Sequence, residues 1–176
     1  MSGADVSFVH LGISIPHMVK SFSIGGISFA YYGLIIGIGM ILGLCVAQSD
    51  AKRRGQNPDI YLDFALYGII FSIIGARIYY VFFQWAYYKD HLMEIVNLRK
   101  GGLAIYGGVI AGILTLLVFT KKRHLSFLSM ADSACLGLVT GQMIGRWGNF
   151  VNCEAFGRYT DCLFAMRLKR SIVNES

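Results

Sequence analysis

The segment GRWGNFVNCEAFG, residues 145–157, brings several chemically active side chains together in a short stretch. They are a guanidinium, two amides and a carboxylate, from Arg146, Asn149, Asn152 and Glu154. Such groups are costly at the edge of a bilayer unless they face one another, a ligand or trapped water. The segment follows an uncharged, largely apolar run, so it predicts a binding or catalytic site. The alternative is a solvated connecting loop, since polar loops flank most spans.

The composition predicts that membrane-spanning helices hold these residues. Hydrophobic residues make up 55% of the 176 residues and charged residues 15%, and the mean hydropathy is +0.56, which excludes an ordinary soluble domain. The uncharged runs 26–47 and 101–120 are each long enough as helices to cross a hydrocarbon core of about 30 Å. The run 64–88 contains a single charge, Arg77, and the more polar run 125–145 is a fourth candidate. We therefore predict an all-α, polytopic membrane helix bundle with about four transmembrane helices.

Three regions are expected along the chain. Residues 1–25 form an N-terminal arm at the outer interface, residues 26–157 form the helix bundle, and residues 158–176 form a C-terminal tail. The arm interleaves apolar and polar residues, which fits either a short strand or a segment lying on the membrane surface. It lacks the basic start, the apolar stretch and the cleavage site of a signal peptide, so we expect no cleaved signal.

Basic residues in the short loops predict the orientation of the bundle. The clusters 52–54 and 121–123 follow the first and third spans, and the positive-inside rule assigns both to the cytoplasm. Trp85 and its neighbouring tyrosines, at the end of the second span, suit the opposite interface. The basic residues of the tail oppose this topology, because they would lie outside. In the preferred orientation, residues 145–157 lie at the extracytoplasmic side.

This topology places polar residues of four helices at a similar depth. Tyr32 and Tyr106 lie near the outer ends of the first and third spans. Arg77 lies within the outer half of the second span, and Arg146 closes the fourth. At about 1.5 Å per residue, the first three positions are roughly 8 to 12 Å below the outer edge. Two phenols and two guanidiniums in one layer predict a cavity for an anion.

The guanidinium group suits such a cavity. It stays charged at any working pH, and its planar fork binds phosphate oxygens in a bidentate way. For Arg77, phosphate binding competes with an internal ion pair to Asp132 or Glu154. For Arg146 we favour ligand binding, because the flanking glycines allow close backbone approach and Asn149 adds donors.

Glu154 and Tyr106 are the candidates for proton transfer and hydrogen bonding. Glu154 is either a proton acceptor or the ion-pair partner of Arg146 or Arg158. Tyr106 stands in GGLAIYGG, and its phenol normally titrates near pH 10. We therefore expect Tyr106 to donate a hydrogen bond rather than to act as a base.

The small residues are expected to be structural. Glycines at small-xxx-small spacing predict close helix packing. They are Gly33 with Gly37, Gly39 with Gly43, Gly108 with Gly112, and Gly137 with Gly141 and Gly145. The four cysteines show no metal-ligand spacing, although Cys153 and Cys162 lie on the same side of the predicted bundle, where a disulfide can form.

The chain resembles the prolipoprotein diacylglyceryl transferases, a family of bacterial membrane enzymes that begin lipoprotein maturation. The family signature reads GR, a variable residue, a small residue, NF, an apolar residue, N, any residue, E, two residues and G. Residues 145–157 match it throughout. Supporting matches are YYGL at 31–34, GARIYY at 75–80 and GGLAIYGG at 101–108.

The resemblance implies a specific reaction. The diacylglyceryl group of phosphatidylglycerol is transferred to the thiol of the lipobox cysteine in a prolipoprotein signal peptide, and glycerol phosphate is released. The implied location is the plasma membrane of a bacterium, with the active site toward the outer leaflet. The implied partners are phosphatidylglycerol, the prolipoprotein and the bilayer, with no nucleic acid, cofactor or metal.

The same resemblance implies the site residues. The catalytic positions are Arg146, Asn149, Glu154 and Tyr106, and the headgroup-binding positions are Arg146, Arg77, Tyr32, Asn152, Gly107 and Gly108. Many family members have histidine where Tyr106 stands, so we interpret this tyrosine as a donor that orients the headgroup. Family members also continue for roughly another half of this length. The alternative function is therefore a truncated, catalytically inactive relative that retains an anionic-lipid-binding site.

Overall fold

Four long helices dominate the computed structural model, which describes residues 5–25, 27–98 and 101–173. They are α1 (Tyr31–Arg53), α2 (Asp59–Phe83), α4 (Ile105–Arg123) and α5 (Phe127–Asn152), with the short helix α3 (Trp85–Tyr88) after α2. All four long helices are long and apolar enough to cross a membrane. The predicted all-α, polytopic membrane bundle is therefore confirmed.

The ends of the helices follow from local chemistry. Before α2, the backbone N–H of Asp59 donates to the side-chain oxygen of Asn57 at 3.0 Å, which satisfies one amide of the first turn. At the end of α4, His124 adopts a left-handed conformation with a φ of 54° and stops the helix. The last turn of α4 carries three basic residues, whose positive charges interact favourably with the negative C-terminal end of the helix dipole.

Five short strands accompany the helices. Strands β1 (Val6–Phe8), β2 (Ile13–Ile15) and β5 (Met166–Leu168) form an antiparallel sheet in the order β2-β1-β5, with Val6 opposite Ile15 and Leu168. Strands β3 (Ser21–Ile24) and β4 (Ile27–Ala30) form an antiparallel hairpin. The arm therefore forms short strands, and its position at the membrane surface stays a prediction. The hairpin also explains why α1 begins at Tyr31, although its uncharged run begins at Gly26.

The chain divides into two compact units. The first comprises Met1–Gly43 with Leu138–Ser176, and the second comprises Leu44–Gly137. The core of the second unit lies where the basic ends of α1 and α4 meet the starts of α2 and α5. Its buried residues are Ala47, Ala51, Tyr61, Leu116, Phe119 and Met130.

A polar network lies beside this core in the second unit. Asp50 accepts hydrogen bonds at 2.7 Å from Ser133 and from the Nε of Arg54. Arg54 also contacts Asp132 at 3.2 Å, and the two carboxylates raise the pKa of its guanidinium. These contacts stabilise the ends of α1 and α5 by a modest amount, because exposed ion pairs are strongly screened by solvent.

Candidate functional site

The polar segment 145–157 begins inside α5 rather than after it. Arg146, Asn149 and Asn152 occupy the last two turns of this helix. Residues three apart on a helix are neighbours on its surface, so each of these side chains lies next to the following one along the helix and the three form a row. The first part of the segment is therefore helical, and the connecting-loop alternative is wrong for residues 145–152. The fourth span extends seven residues beyond its predicted end at Gly145.

A strained turn follows α5. Cys153 and Ala155 have φ values of 54° and 52°, in the left-handed region that residues other than glycine rarely adopt. The turn is held by backbone hydrogen bonds from Cys153 N to the oxygen of Phe150 at 3.1 Å and from Glu154 N to the oxygen of Asn149 at 3.0 Å. Non-glycine residues in this region cost about 1 to 3 kcal/mol each and concentrate at functional sites. The turn thus fixes the backbone of Glu154 next to the end of the row.

The cysteines at this end of α5 do not pair. Cys153 is buried, with 2% of its surface exposed, whereas Cys162 is exposed, and both are free thiols. Burial raises the pKa of the Cys153 thiol. The disulfide considered from the sequence is therefore not formed between these two described residues, and Cys153 acts as a small apolar residue under the turn.

Three side chains of the signature segment are open to an external group. Arg146 is exposed, and Asn149 and Glu154 are half-buried. Within residues 5–25, 27–98 and 101–173, none of these three side chains forms a hydrogen bond or an ion pair. Glu154 is therefore not the ion-pair partner of Arg146 or Arg158 in this conformation. A guanidinium, an amide and a carboxylate therefore have no partner among the described residues, and their role in ligand binding stays a prediction.

Tyr32 lies against the same helix, in the first turn of α1. A Cβ atom on Gly148 would lie 3.1 Å from the Tyr32 ring, so the glycine makes room for the phenol. Farther along, a Cβ on Gly145 would lie 3.3 Å from Ile36, and one on Gly39 would lie 3.2 Å from the carbonyl oxygen of Gly141. Glycines therefore let α1 and α5 approach closely and set Tyr32 beside the signature segment.

The packing role predicted for the small residues holds only at some positions. Gly39, Gly141 and Gly145 lie at the contact between α1 and α5, as expected. A Cβ atom added to Gly33 or Gly37 would meet no described atom within 4 Å, so the described residues show no close packing at this pair. The spacing of these glycines in the sequence is the same as that of the packed glycines, and the two groups differ only in whether their side of the helix faces another described helix.

Arg77 has partners that the sequence did not predict. Its side chain is buried, with 6% of its surface exposed, and its hydrogen bonds to the described residues go to backbone carbonyl oxygens. Asp132 contacts Arg54 instead, so the internal ion pair between Arg77 and Asp132 is not formed. The headgroup-binding role of Arg77 stays a prediction.

The predicted residues of α4 lie in its first turn. Tyr106 has 74% of its surface exposed and forms no hydrogen bond within the described ranges. Gly107 packs directly on α2, where a Cβ would overlap the carbonyl oxygen of Gly75 and the Cβ of Tyr79. Gly108 has more room, since its Cβ would lie 3.5 Å from the nearest atom, the carbonyl oxygen of Ser72. The phenol is thus presented outward from a tightly packed helix start.

A groove of about 530 Å³ lies elsewhere in the second unit, between α2 and α4. Phe71 and Leu114 line its apolar part, and Lys122 and Arg123 lie at its basic end. Its described lining includes none of the predicted site residues. The groove is therefore separate from the chemistry that the signature segment indicates.

Comparisons with known proteins agree with the resemblance seen in the sequence. A family model described as prolipoprotein diacylglyceryl transferase matches residues 20–175.

Three similar relatives are each named phosphatidylglycerol–prolipoprotein diacylglyceryl transferase. The protein of Bacillus velezensis is 45% identical over 157 residues, covering 88% of this chain and 58% of the relative. That of Finegoldia magna is 45% identical over 84% of this chain and 60% of the relative. That of Clostridioides difficile is 47% identical over 80% of this chain and 57% of the relative. The chain thus spans somewhat more than half the length of the relatives that it matches.

Proposed function

Since the chain belongs to the prolipoprotein diacylglyceryl transferase family, we propose that it transfers the diacylglyceryl group of phosphatidylglycerol to a cysteine thiol of a prolipoprotein. The acceptor is the lipobox cysteine of the signal peptide, and the other product is glycerol phosphate. The observation that carries the proposal is the end of α5. Three polar side chains of the signature segment lie there without a partner among the described residues, and the ring of Tyr32 packs against Gly148 in the same part of the helix.

The proposed step is a displacement at a glycerol carbon. The sulfur of the acceptor cysteine forms a bond to this carbon, and the bond from the carbon to the phosphate ester oxygen breaks. The electron pair leaves with the phosphate, which gains negative charge. We assign Arg146 to this phosphate, because a bidentate guanidinium stabilises the charge where it develops. Asn149 and Asn152 supply amide donors, and Tyr32 donates from its phenol.

The thiol must also lose its proton. A free cysteine thiol has a pKa near 8.5, so only a small fraction is thiolate at neutral pH. We assign Glu154 as the proton acceptor, because its carboxylate has no ion-pair partner within the described ranges and its backbone is fixed by the turn after α5. The headgroup-donor role of Tyr106 stays a prediction from the sequence, and Gly107 and Gly108 keep its helix start close to α2.

The proposed setting is the plasma membrane of a bacterium. Four helices of sufficient length and hydropathy support a membrane protein. The basic residues at the ends of α1 and α4 support a cytoplasmic position for those ends, because short cytoplasmic loops are enriched in lysine and arginine. Arg146, near the C-terminal end of α5, then lies toward the outer leaflet, where the proposed substrates meet.

The direct test is transfer by the purified chain in vesicles of phosphatidylglycerol. A lipobox peptide is added, and the mass increase of one diacylglyceryl group on its cysteine is measured. We expect transfer by the unmodified chain and a drop of at least tenfold with Arg146→Lys, because a lysine keeps the charge but loses the bidentate geometry. Full turnover by this variant would contradict the assignment of Arg146.

The matched control is Arg158→Gln. Arg158 is exposed in the segment after α5 and stands outside the signature. Its replacement removes one positive charge near the same end of the chain, so it reports any effect of net charge on binding to anionic vesicles. We expect its rate to stay within about twofold of the unmodified chain. The glutamine substitution is also made at Arg146, and an equal loss of activity in the two variants would mean that general surface charge, rather than phosphate binding, drives the reaction.

A further inference from the structure

The guanidinium of Arg77 is enclosed by backbone oxygens. It carries five N–H groups, and five carbonyl oxygens lie within hydrogen-bond distance of its nitrogens. Nε donates to Ile95 at 2.8 Å, Nη1 donates to Gly101 at 2.7 Å and Gly102 at 2.9 Å, and Nη2 donates to Glu94 at 2.6 Å and Asn97 at 3.2 Å. Every N–H group is therefore occupied in this conformation, and none remains for a phosphate.

The charge of Arg77 is compensated by dipoles and an aromatic ring. The carbonyl dipoles point at the guanidinium, and the ring of the buried Tyr88 lies 5.2 Å from its central carbon. A buried cation is costly unless such groups surround it, and an aromatic face adds a favourable contact. The arrangement therefore requires residues 94–98 and 101–102, here called the collar, to stay against the guanidinium.

The collar leads directly into α4. A Cβ atom on Gly102 would lie 2.6 Å from Nη1 of Arg77 and 2.6 Å from the ring of Tyr80, so only glycine lets the backbone rest on the guanidinium. Two residues later, the backbone N–H of Ala104 donates to the carbonyl oxygen of Ala76 at 3.1 Å. Helix α4 then begins at Ile105, and Tyr106 follows. The contacts of Arg77 thus fix the chain immediately before the predicted headgroup-binding residues.

We propose that Arg77 is a positioning residue that clamps the collar and thereby fixes the first turn of α4 for the transfer reaction. Its consequence for catalysis rests on the proposed function, whereas the clamp itself does not. Arginine suits this task because its planar fork reaches five acceptors at once. A lysine would keep the positive charge, but its single ammonium group offers three donors from one point.

The clamp is tested by hydrogen exchange of the full chain in lipid nanodiscs. In Arg77→Lys, we expect the amides of residues 94–98 and 101–104 to exchange roughly tenfold faster, because the local opening of the collar becomes easier. Exchange in the last turns of α5 should stay unchanged. Unaltered exchange in the 94–98 and 101–104 amides would overturn the clamp, whatever the activity of the variant.

A pair of glycine variants provides an independent test if Arg77→Lys does not fold. Gly101 and Gly102 both have a φ of 78°, so alanine introduces the same backbone strain at either position. A Cβ on Gly101 meets no described atom within 4 Å, whereas one on Gly102 meets Arg77 and Tyr80. We expect Gly102→Ala to reproduce the faster exchange and Gly101→Ala to change it much less. Equal effects of the two variants would contradict the clamp.

The kinetics of Arg77→Lys separate positioning from phosphate binding. For a positioning residue, this variant lowers kcat while KM for phosphatidylglycerol stays within about twofold, because the substrate contacts themselves remain. A KM raised about tenfold with unchanged exchange would instead make Arg77 a headgroup ligand. If the unmodified chain transfers no lipid, the proposed function fails, and the exchange measurements still decide the clamp.

Discussion

Arg77 and Arg146 both belong to helices long enough to span a membrane, yet their surroundings are opposite. Arg77 is buried and donates all five of its N–H groups to carbonyl oxygens, whereas Arg146 is exposed and has no partner within the described ranges. The sequence alone grouped them as two cations for one phosphate. The difference teaches that a satisfied guanidinium stabilises a backbone conformation, while an unsatisfied one is available to a ligand.

The largest expected effect separates the two arginines by function. We expect Arg146→Gln to lower kcat/KM for lipid transfer by about a thousandfold, or about 4 kcal/mol, because an essential donor to the developing charge is lost. Thermal stability in detergent micelles should stay within about 2 °C, since this side chain has no partner among the described residues. A large drop in Tm would show that Arg146 is a structural residue after all.

The second effect concerns stability. We expect Arg77→Met to lower the free energy of unfolding by about 3 kcal/mol, because five carbonyl oxygens lose their donor at once. The measurement is equilibrium unfolding in mixed micelles, with Arg146→Gln as the reference variant. Equal stability of the two variants would contradict the conclusion that Arg77 is structural and Arg146 is not.

The third effect tests the contact between α2 and the first turn of α4, which contains Tyr106. Gly107→Ala is expected to cost about 2 kcal/mol, because its Cβ would overlap the backbone oxygen of Gly75 and the Cβ of Tyr79. Gly108→Ala is the matched control in the next position, and its Cβ would have ordinary contacts. We expect it to change stability by about 0.5 kcal/mol or less, measured by the same unfolding experiment. A larger loss for Gly108→Ala than for Gly107→Ala would contradict the described packing of α2 and α4.

The fourth effect isolates a single hydroxyl group. Tyr32→Phe keeps the ring beside Gly148 and removes the phenol, so we expect about a tenfold loss in kcat/KM, or about 1.4 kcal/mol, with stability unchanged. Tyr159→Phe removes an exposed phenol outside the proposed site and should keep its rate within about twofold. Equal rates for Tyr32→Phe and the unmodified chain would remove Tyr32 from the headgroup contacts.

The smallest effect tests the turn after α5. We expect Cys153 to react with a maleimide about tenfold more slowly than Cys162 at pH 7.5, because burial limits access and raises the pKa of the Cys153 thiol, which lowers its thiolate fraction. Peptide mass spectrometry distinguishes the two sites. Labelling of Cys153 should increase more steeply as the pH rises above 8.5. Equal rates would mean that the strained turn is open.

The spans were predictable, but their ends were not. Hydropathy identified all four helices, because crossing a hydrocarbon core requires about 20 apolar residues. It missed the last turns of α1, since Lys52 and Arg53 are helical although they are charged. It also ended the fourth span at Gly145, whereas α5 continues to Asn152. Hydropathy reports where apolar residues end, and a helix continues for as long as its backbone hydrogen bonds are satisfied.

The candidate site was predictable in its residue types but not in all of its partners. The signature segment and Tyr32 were identified from the sequence, and the structure brings the ring of Tyr32 against Gly148. Gly102 was not identified as a separate functional position. The positive φ of the two glycines before α4 and the contact with Arg77 are properties of the folded backbone. The motif GGLAIYGG was the available signal, but it does not distinguish one glycine from the next.

The sequence by itself determined that this chain belongs in a membrane, how many of its helices are apolar enough to cross one and which segment carries the family's polar residues. These properties depend on composition and on local order, which a linear chain already contains. Only the tertiary structure decided which arginine is enclosed and which is available. The acceptors around Arg77 are main-chain oxygens from 17 to 25 residues away, and every residue type has such an oxygen. Their convergence on one guanidinium therefore cannot be predicted from the order of residue types along the chain.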